Sequence, residues 1–176
     1  MIITVATREE MEALIPKDYW YCTIVTGMGI MNTIMSLKYV QCDRIINIGY
    51  AGAKDIPVGT ICMVTENEPY QVHNLPLGIA PVYEPNIDLP RYKCYTATDF
   101  IESSELEGPF LVDMELLAHL VLKVPVTSIK IVSDNMSLDD YYNKALKEDY
   151  TEEIGKILEE VFRWKGLWSL KALLKK

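Results

Sequence analysis

The sequence predicts an α/β domain with a central sheet of mostly parallel or mixed strands. Short β-branched runs alternate with segments of helical composition along most of the 176 residues, and most connections are short. Two acidic residues, Glu115 and Asp134, each follow an apolar run that is typical of a buried strand. A carboxylate there costs free energy unless it is paired or used in function. We therefore expect a site at the carboxyl edge of the sheet.

The strands are predicted from runs of β-branched and aromatic residues, and the helices from apolar residues at helical spacing. Residues 66–90 are rich in proline and predict a long irregular excursion, a kind of segment that is often functional. The tail, residues 165–176, is apolar with lysines and favours an amphipathic helix that packs on the domain or on a partner. The predicted strands are residues 2–7, 19–26, 44–49, 60–65, 91–97 and 126–132. The predicted helices are residues 8–15, 31–40, 114–122, 138–146 and 151–162.

Composition and charge indicate one globular domain over residues 1–176. The chain has 49% hydrophobic and 24% charged residues, and it shows no internal repeat or low-complexity linker. Its net charge of −8 argues against nonspecific nucleic-acid binding, which needs a basic face. No apolar run reaches the roughly 20 residues of a membrane span. The first residues lack the basic region and cleavage site of a signal peptide, so we expect a cytoplasmic protein.

Cysteine and histidine do not form a metal-binding pattern. The four cysteines are scattered without a CxxC pair, so we expect reduced structural thiols rather than a zinc site. Glu115 and His119 are four residues apart and would share a helical face, but a third ligand is not evident. His73 lies apart from them in the irregular segment. We expect neither a metal nor another cofactor.

A glycine turn follows the second predicted strand. Gly27 and Gly29 resemble a phosphate-cradling turn, but the dinucleotide fingerprint would need a glycine where Asn32 stands. The turn therefore predicts either a ligand-facing loop or a tight turn that lets the next helix pack closely.

Two further features each allow a structural and a functional interpretation. Glu9, Glu10 and Glu12 lie at a predicted helix start, where acidic residues are favoured by the helix dipole alone. One of them could instead point inward across the sheet edge. Phe100 follows a predicted strand, where a ring either packs in the core or stacks on a flat ligand.

In order and spacing, five segments of the chain resemble the nucleoside phosphorylase and nucleosidase superfamily. The resemblance is strongest to the 5′-methylthioadenosine/S-adenosylhomocysteine nucleosidases and extends over nearly the whole chain. The segments are ATREE at residues 6–10, TGMGIMN at 26–32, NIGYAG at 47–52, VDME at 112–115 and VSDN at 132–135. They are similar to the family's N-terminal glutamate cluster and its TGxGxxN, NTGxAG, VEME and ISD motifs.

The resemblance implies a fold, a reaction and a partner. The fold is a three-layer α/β/α domain with a mixed, mostly parallel sheet, often dimeric, so a homodimer is expected. The reaction is hydrolysis of the N-glycosidic bond of a purine nucleoside without a cofactor. A diverged nucleoside-binding relative without activity and a purine nucleoside phosphorylase stay open as alternatives. Phosphorylases of this superfamily hold phosphate with arginines, and this chain has only four, which favours hydrolysis.

The resemblance also implies catalytic roles for two residues. Asp134 would act at purine N7, supported by Ser133, and Glu10 would orient or activate the attacking water. Protonation of N7 makes the departing base neutral, and carboxylates stabilise the oxocarbenium-like sugar.

Seven positions are expected to contact the nucleoside. Glu115 would hold the ribose diol and Met114 would pack against the sugar, while Tyr50 replaces a usually small residue and could fill part of the pocket. Lys130 also departs from the family, which commonly has an arginine there. The expected substrate-binding residues are Met114, Glu115, Ser133, Phe100, Ile101, Gly27 and Tyr50.

Overall fold

A computed structural model describes residues 1–70, 80–82, 85–122, 124–143 and 147–163 of the chain. These ranges contain eight strands, five α-helices and a 3₁₀ helix at Lys17–Cys22. The strands are β1 (Ile2–Val5), β2 (Thr23–Val25), β3 (Ile45–Lys54), β4 (Ile61–Pro69), β5 (Ala80–Pro81), β6 (Arg91–Thr96), β7 (Phe110–Asp113) and β8 (Val126–Asp134). The helices are α1 (Arg8–Leu14), α2 (Ile30–Leu37), α3 (Leu116–Val121), α4 (Leu138–Asn143) and α5 (Thr151–Arg163).

All eight strands belong to one mixed sheet, in which most of the neighbouring pairs are parallel. The order β2-β1-β3-β7-β6-β4-β5 forms its main path, and β8 pairs with both β3 and β4. Strands β3, β7, β6, β4 and β8 therefore close into a ring. The mixed, mostly parallel α/β sheet that the sequence predicts is confirmed. The strand pairing closes the sheet, and it does not by itself establish the three stacked layers that the resemblance implies.

The long strand β3 organises the ring. It runs parallel to β1 and β8 but antiparallel to β7. Its pairing with β8 is irregular between Ala51 and Gly52, where Gly52 pairs with both Val112 and Asp134. The carboxyl ends of β7 and β8 thus meet beside the carboxyl-terminal part of β3 from opposite directions. The expected convergence of the two strand ends is found, but it does not occur at one edge of a parallel sheet.

Two apolar clusters support this arrangement. One joins β1, β3 and β8 to α1 and α5, and the other joins the sheet to α2 and α3. Helix α5 contributes Ile154, Ile157, Leu158 and Val161, whose spacing places all four on one buried helix face. Burial of these side chains attaches α5 to the sheet.

Several predicted elements differ from the structure. Aromatic residues in the predicted strand 19–26 form the 3₁₀ helix instead, so only Thr23–Val25 is a strand. The predicted strand 44–49 continues to Lys54, and β4 extends to Pro69, into the segment predicted to be irregular. Helix α3 begins at Leu116 rather than at residue 114, and the backbone N–H of Leu116 donates a hydrogen bond to the Asp113 carboxylate at 3.0 Å.

Some predictions lie outside the described residues. These include His73, residues 71–79 and 83–84 of the irregular segment, the end of the helix predicted over 138–146, and the amphipathic tail at 165–176. Within the described ranges, no helix combines the length and apolarity required to cross a membrane.

Candidate active site

A cleft of about 270 Å³ opens where β3, β7 and β8 meet. Five acidic residues line it together with aromatic and apolar side chains. A wider groove of about 540 Å³ has only exposed acidic residues, so we place the candidate site in the smaller cleft. The lining residues of that cleft are Ala6, Glu10, Met28, Tyr50, Ala51, Gly52, Asp99, Phe100, Val112, Asp113, Met114, Glu115, Ser133, Asp134, Leu138 and Tyr141.

Asp134 ends strand β8 and is almost fully buried. The Ser133 hydroxyl donates a hydrogen bond to its Oδ2 at 2.6 Å, and the backbone N–H of Ser137 donates to its Oδ1 at 3.0 Å. A β-carbon added at Gly52 would lie only 3.2 Å from Oδ1. Gly52 therefore leaves the space that the carboxylate occupies, and the two donors fix its orientation toward the cleft.

Glu10 reaches the cleft from the first turns of α1. Thr7 caps this helix by accepting a hydrogen bond from the Glu10 backbone N–H, and the Glu10 Oε2 accepts from the N–H of Ala6 at 3.0 Å. Burial and then the charge of Glu115 raise the pKa of Glu10 from an ordinary 4.5 to about 7. Of the three glutamates at the start of this helix, Glu10 is the buried one, whereas Glu9 and Glu12 are exposed.

Glu115 lies just before α3 and is also buried. The backbone N–H of Gly29 donates to its Oε1 at 2.7 Å, so the glycine turn contacts the site through Gly29. Gly29 has φ 86°, a backbone conformation that favours glycine. Burial, followed by the charge of Asp113, raises the pKa of Glu115 above its ordinary value. Glu115 and Glu10 therefore hold protons more tightly than free carboxylic acids.

A buried ion pair lies among these carboxylates. Lys130 Nζ is 2.8 Å from Asp113 Oδ2, and both side chains are at most 1% exposed. Burial alone would lower the pKa of Lys130, but the Asp113 carboxylate raises it above its ordinary range, so the ammonium stays charged. A β-carbon added at Gly49 would lie 3.4 Å from Glu10 Oε2 and 3.8 Å from Lys130 Nζ. Gly49 thus leaves room for both groups on one side of β3.

Sequence reasoning did not include Asp113 and Lys130 among the site residues. Each has a signal in the sequence: Asp113 directly follows an apolar run, and Lys130 stands between the apolar residues Ile129 and Ile131 of a predicted strand. Asp113 Oδ1 also accepts a hydrogen bond from Thr96, at 2.7 Å. The pair thus connects β6, β7, β8 and the start of α3.

The structure places most of the predicted site residues in one cleft. Glu10, Asp134, Tyr50, Phe100, Met114, Glu115 and Ser133 all line it. Gly27 and Ile101 are not among the lining residues. The Gly27 N–H donates to the Ala6 carbonyl oxygen at 2.9 Å, and Ile101 packs against an apolar cluster around Phe110. The glycine turn and the 98–101 loop are therefore correctly located, but in each a neighbouring residue faces the site.

His119 does not form a metal site with Glu115. Its Nε2 hydrogen-bonds to the Thr4 hydroxyl at 2.8 Å, and its Nδ1 lies 3.2 Å from the Glu115 backbone oxygen. Burial and the charge of Lys130 lower its pKa to about 4, so the imidazole is neutral at physiological pH. No group of three or more potential metal ligands occurs among the residues with described positions. His119 is therefore a satisfied core histidine.

Comparison with known proteins relates the fold to one group of enzymes. No family model and no curated protein matches the chain. Among solved structures, the 5′-methylthioadenosine/S-adenosylhomocysteine nucleosidase (MTAN) of Helicobacter pylori has a TM-score of 0.70 and 17% identity, and the match covers 92% of this chain and 97% of that one. The MTAN of Chlamydia trachomatis has a TM-score of 0.72 and 19% identity, and the match covers 92% of this chain and 96% of that one.

A third structure, a mutant futalosine hydrolase of Helicobacter pylori, has a TM-score of 0.69 and 16% identity, with 90% and 96% coverage. The chain therefore has the fold of these enzymes over nearly its full length, and the mixed α/β architecture that the sequence predicts agrees with them.

The buried ion pair makes a prediction about stability. Replacing Lys130 by Met should lower the free energy of unfolding by about 3–5 kcal/mol, because the buried Asp113 carboxylate loses its counter-charge. Urea unfolding measures this. Lys156→Met is the matched control, since the Lys156–Glu152 pair on α5 is exposed to solvent and should contribute little to stability. Equal losses in the two variants would contradict the assigned role of the pair.

The pKa of Glu10 predicts a pH dependence of stability. Unfolded Glu10 loses its proton near pH 4.5 and the folded residue near pH 7, so the folded state holds the extra proton between these values. Stability should therefore fall as pH rises through this window, by up to roughly 3 kcal/mol. Glu10→Gln should remove this part of the decline in unfolding measurements at several pH values. Glu9→Gln, on the exposed side of α1, should retain it, and an unchanged slope in Glu10→Gln would refute the assignment.

Proposed function

We propose that this protein is a purine nucleosidase. It would hydrolyse the N-glycosidic bond of 5′-methylthioadenosine, S-adenosylhomocysteine or a related nucleoside and release the base. The observation that carries the proposal is the convergence of Glu10, Glu115 and Asp134, from three separate elements, on one cleft. Solved structures with the same fold include nucleosidases named for the first two substrates and a futalosine hydrolase.

Asp134 would be the acid that protonates purine N7. Its two oxygens are held by Ser133 and by the N–H of Ser137, so the carboxyl group faces the cleft in one orientation. Phe100 lines the same cleft and would stack on the base. Protonation at N7 turns an anionic leaving group into a neutral purine, which lowers the barrier to bond cleavage.

Glu115 and Glu10 would act on the sugar and on water. Glu115 would accept hydrogen bonds from the ribose diol through an oxygen that is positioned by Gly29, while Met114 packs against the sugar ring. Glu10, with a pKa of about 7, is suited to take a proton from the attacking water near neutral pH. Negative charge on these groups would also stabilise the oxocarbenium-like transition state.

The charge of the cleft favours hydrolysis over phosphorolysis. Among the described residues that line it, five are acidic and none is lysine or arginine. Lys130 lies behind this surface and is paired with Asp113. A phosphate dianion would enter the cleft against the repulsion of several carboxylates, whereas a water molecule would not.

We also propose a three-layer α/β/α arrangement, a homodimeric assembly and a cytoplasmic location. Apolar clusters that join helices to the sheet support three layers, and four unpaired cysteines fit a cytoplasmic protein. A homodimer is supported by exposed apolar residues at helical spacing on and beside α2, namely Met28, Met31, Met35 and Tyr39. Light scattering would give twice the chain mass for this assembly, and a monomer mass would refute it.

Base release tests the proposed reaction directly. Incubation with 5′-methylthioadenosine should release adenine at the same rate with and without inorganic phosphate. Chromatography measures the adenine that is released. Release that requires phosphate would assign a phosphorylase instead. If no purine nucleoside in a panel that includes futalosine is cleaved, although calorimetry detects binding, the protein is a nucleoside-binding relative without catalysis.

The role of Asp134 predicts a loss of rate. Asp134→Asn should lower kcat by about 10²–10⁴-fold, because it removes the proton donor while keeping the shape of the side chain. Steady-state adenine release measures the change, and circular dichroism checks the fold. Asp99→Asn is the control, since Asp99 lines the cleft but carries no assigned role. Turnover of Asp134→Asn at the wild-type rate would exclude Asp134 as the acid.

A further inference from the structure

Tyr50 forms a rigid part of the cleft wall. It is the one large side chain in the segment from Gly49 to Gly52 of β3, and it is only 6% exposed. The Tyr50 ring meets those of Tyr141 and Tyr150 edge-on, with centroids 6.2 and 6.4 Å away and interplanar angles of 82° and 71°. Because two neighbouring rings pack against it, Tyr50 cannot change rotamer without losing favourable aromatic contacts.

The shape of a nucleoside indicates which of its groups this wall would contact. This step rests on the proposed function. In a β-nucleoside, the base and the 5′ carbon project from one face of the sugar ring and the two hydroxyl groups from the other. If Glu115 holds the diol and Asp134 the base, the 5′ substituent points away from Glu115. Among the lining residues without a role toward base or diol, Tyr50, Tyr141, Leu138 and Met28 supply the large apolar surface, and the two tyrosines are its aromatic part.

The size and charge of the cleft limit what can follow the 5′ carbon. Its volume of about 270 Å³ is below the range of about 300–1,000 Å³ that is usual for ligand pockets. A homocysteine chain also ends in an ammonium and a carboxylate, and its carboxylate would lie against aromatic rings and among acidic residues. Burial of an unpaired charge in such surroundings is costly. A methylthio group is short and uncharged, so it avoids both penalties.

We propose that Tyr50, supported by Tyr141, restricts the substrates of this site to purine nucleosides with a short, uncharged 5′ substituent. By this inference the protein cleaves 5′-methylthioadenosine in preference to S-adenosylhomocysteine. Tyr50 acts as a specificity-determining residue and takes no part in bond cleavage.

The test compares kcat/KM for the two nucleosides in each protein, so that the ratio is independent of the overall activity. In the wild type the ratio should favour 5′-methylthioadenosine by at least about tenfold, within the roughly 10–200-fold range that pocket size differences produce. Tyr50→Ser should lower the ratio by about tenfold, because it removes the ring. Tyr50→Phe is the matched control and should keep the wild-type ratio, because the ring remains.

Each outcome decides between the proposals. A wild-type ratio near one, or an unchanged ratio in Tyr50→Ser, would overturn the inference while leaving the nucleosidase assignment intact. If Tyr50→Ser does not fold, Tyr141→Leu should lower the ratio in the same direction, and no change there would count against the wall. If the wild type cleaves no purine nucleoside in the panel, the proposed function fails, and the ratio of the two Kd values from calorimetry then tests the wall alone.

Discussion

Among the described residues, the charge balance of the buried carboxylates depends on the ammonium group of Lys130. Lys130 lies in the middle of β8, pairs with Asp113, and raises no steric conflict because its neighbour on β3 is Gly49. Asp113 in turn caps α3 and accepts a hydrogen bond from Thr96 on β6. One ion pair therefore connects the elements that surround the cleft. Removal of either partner would leave the other charge buried without compensation, which is costly.

This arrangement stores free energy in the site. Glu10 and Glu115 are buried near each other and near Asp113, and the pKa values of both glutamates are raised because the ionised forms are poorly solvated and repel. Backbone N–H groups of Ala6 and Gly29 offset part of this cost by hydrogen bonding to the two carboxylates. Such locally unfavourable groups are common where a protein gives up stability for chemistry. The surrounding sheet is apolar and supplies the compensating burial.

Local patterns predicted the elements well, whereas the pairing of strands was beyond them. Asp134 and Glu115 could be placed at a site because a carboxylate after an apolar run is unusual. The antiparallel direction of β7 relative to β3 could not be predicted, because the direction of a strand depends on long-range pairing. The same limit explains why the sequence predicts Gly27 as a site residue although Gly29 contacts Glu115. Both glycines belong to the same turn and have φ near 85°, so the local pattern does not distinguish them. Asp113 was overlooked because its partner, Lys130, lies on another strand.

Closure of the sheet has a consequence for how the protein behaves at high concentration. Every strand of the five-membered ring has a neighbour on both sides, and so has β1. Within the described ranges, the free edges belong to β2 and β5, which are three and two residues long. Exposed strand edges are the usual templates for intermolecular pairing and fibre growth. The described strands thus leave little unpaired backbone on which a second unfolded or misfolded chain could assemble.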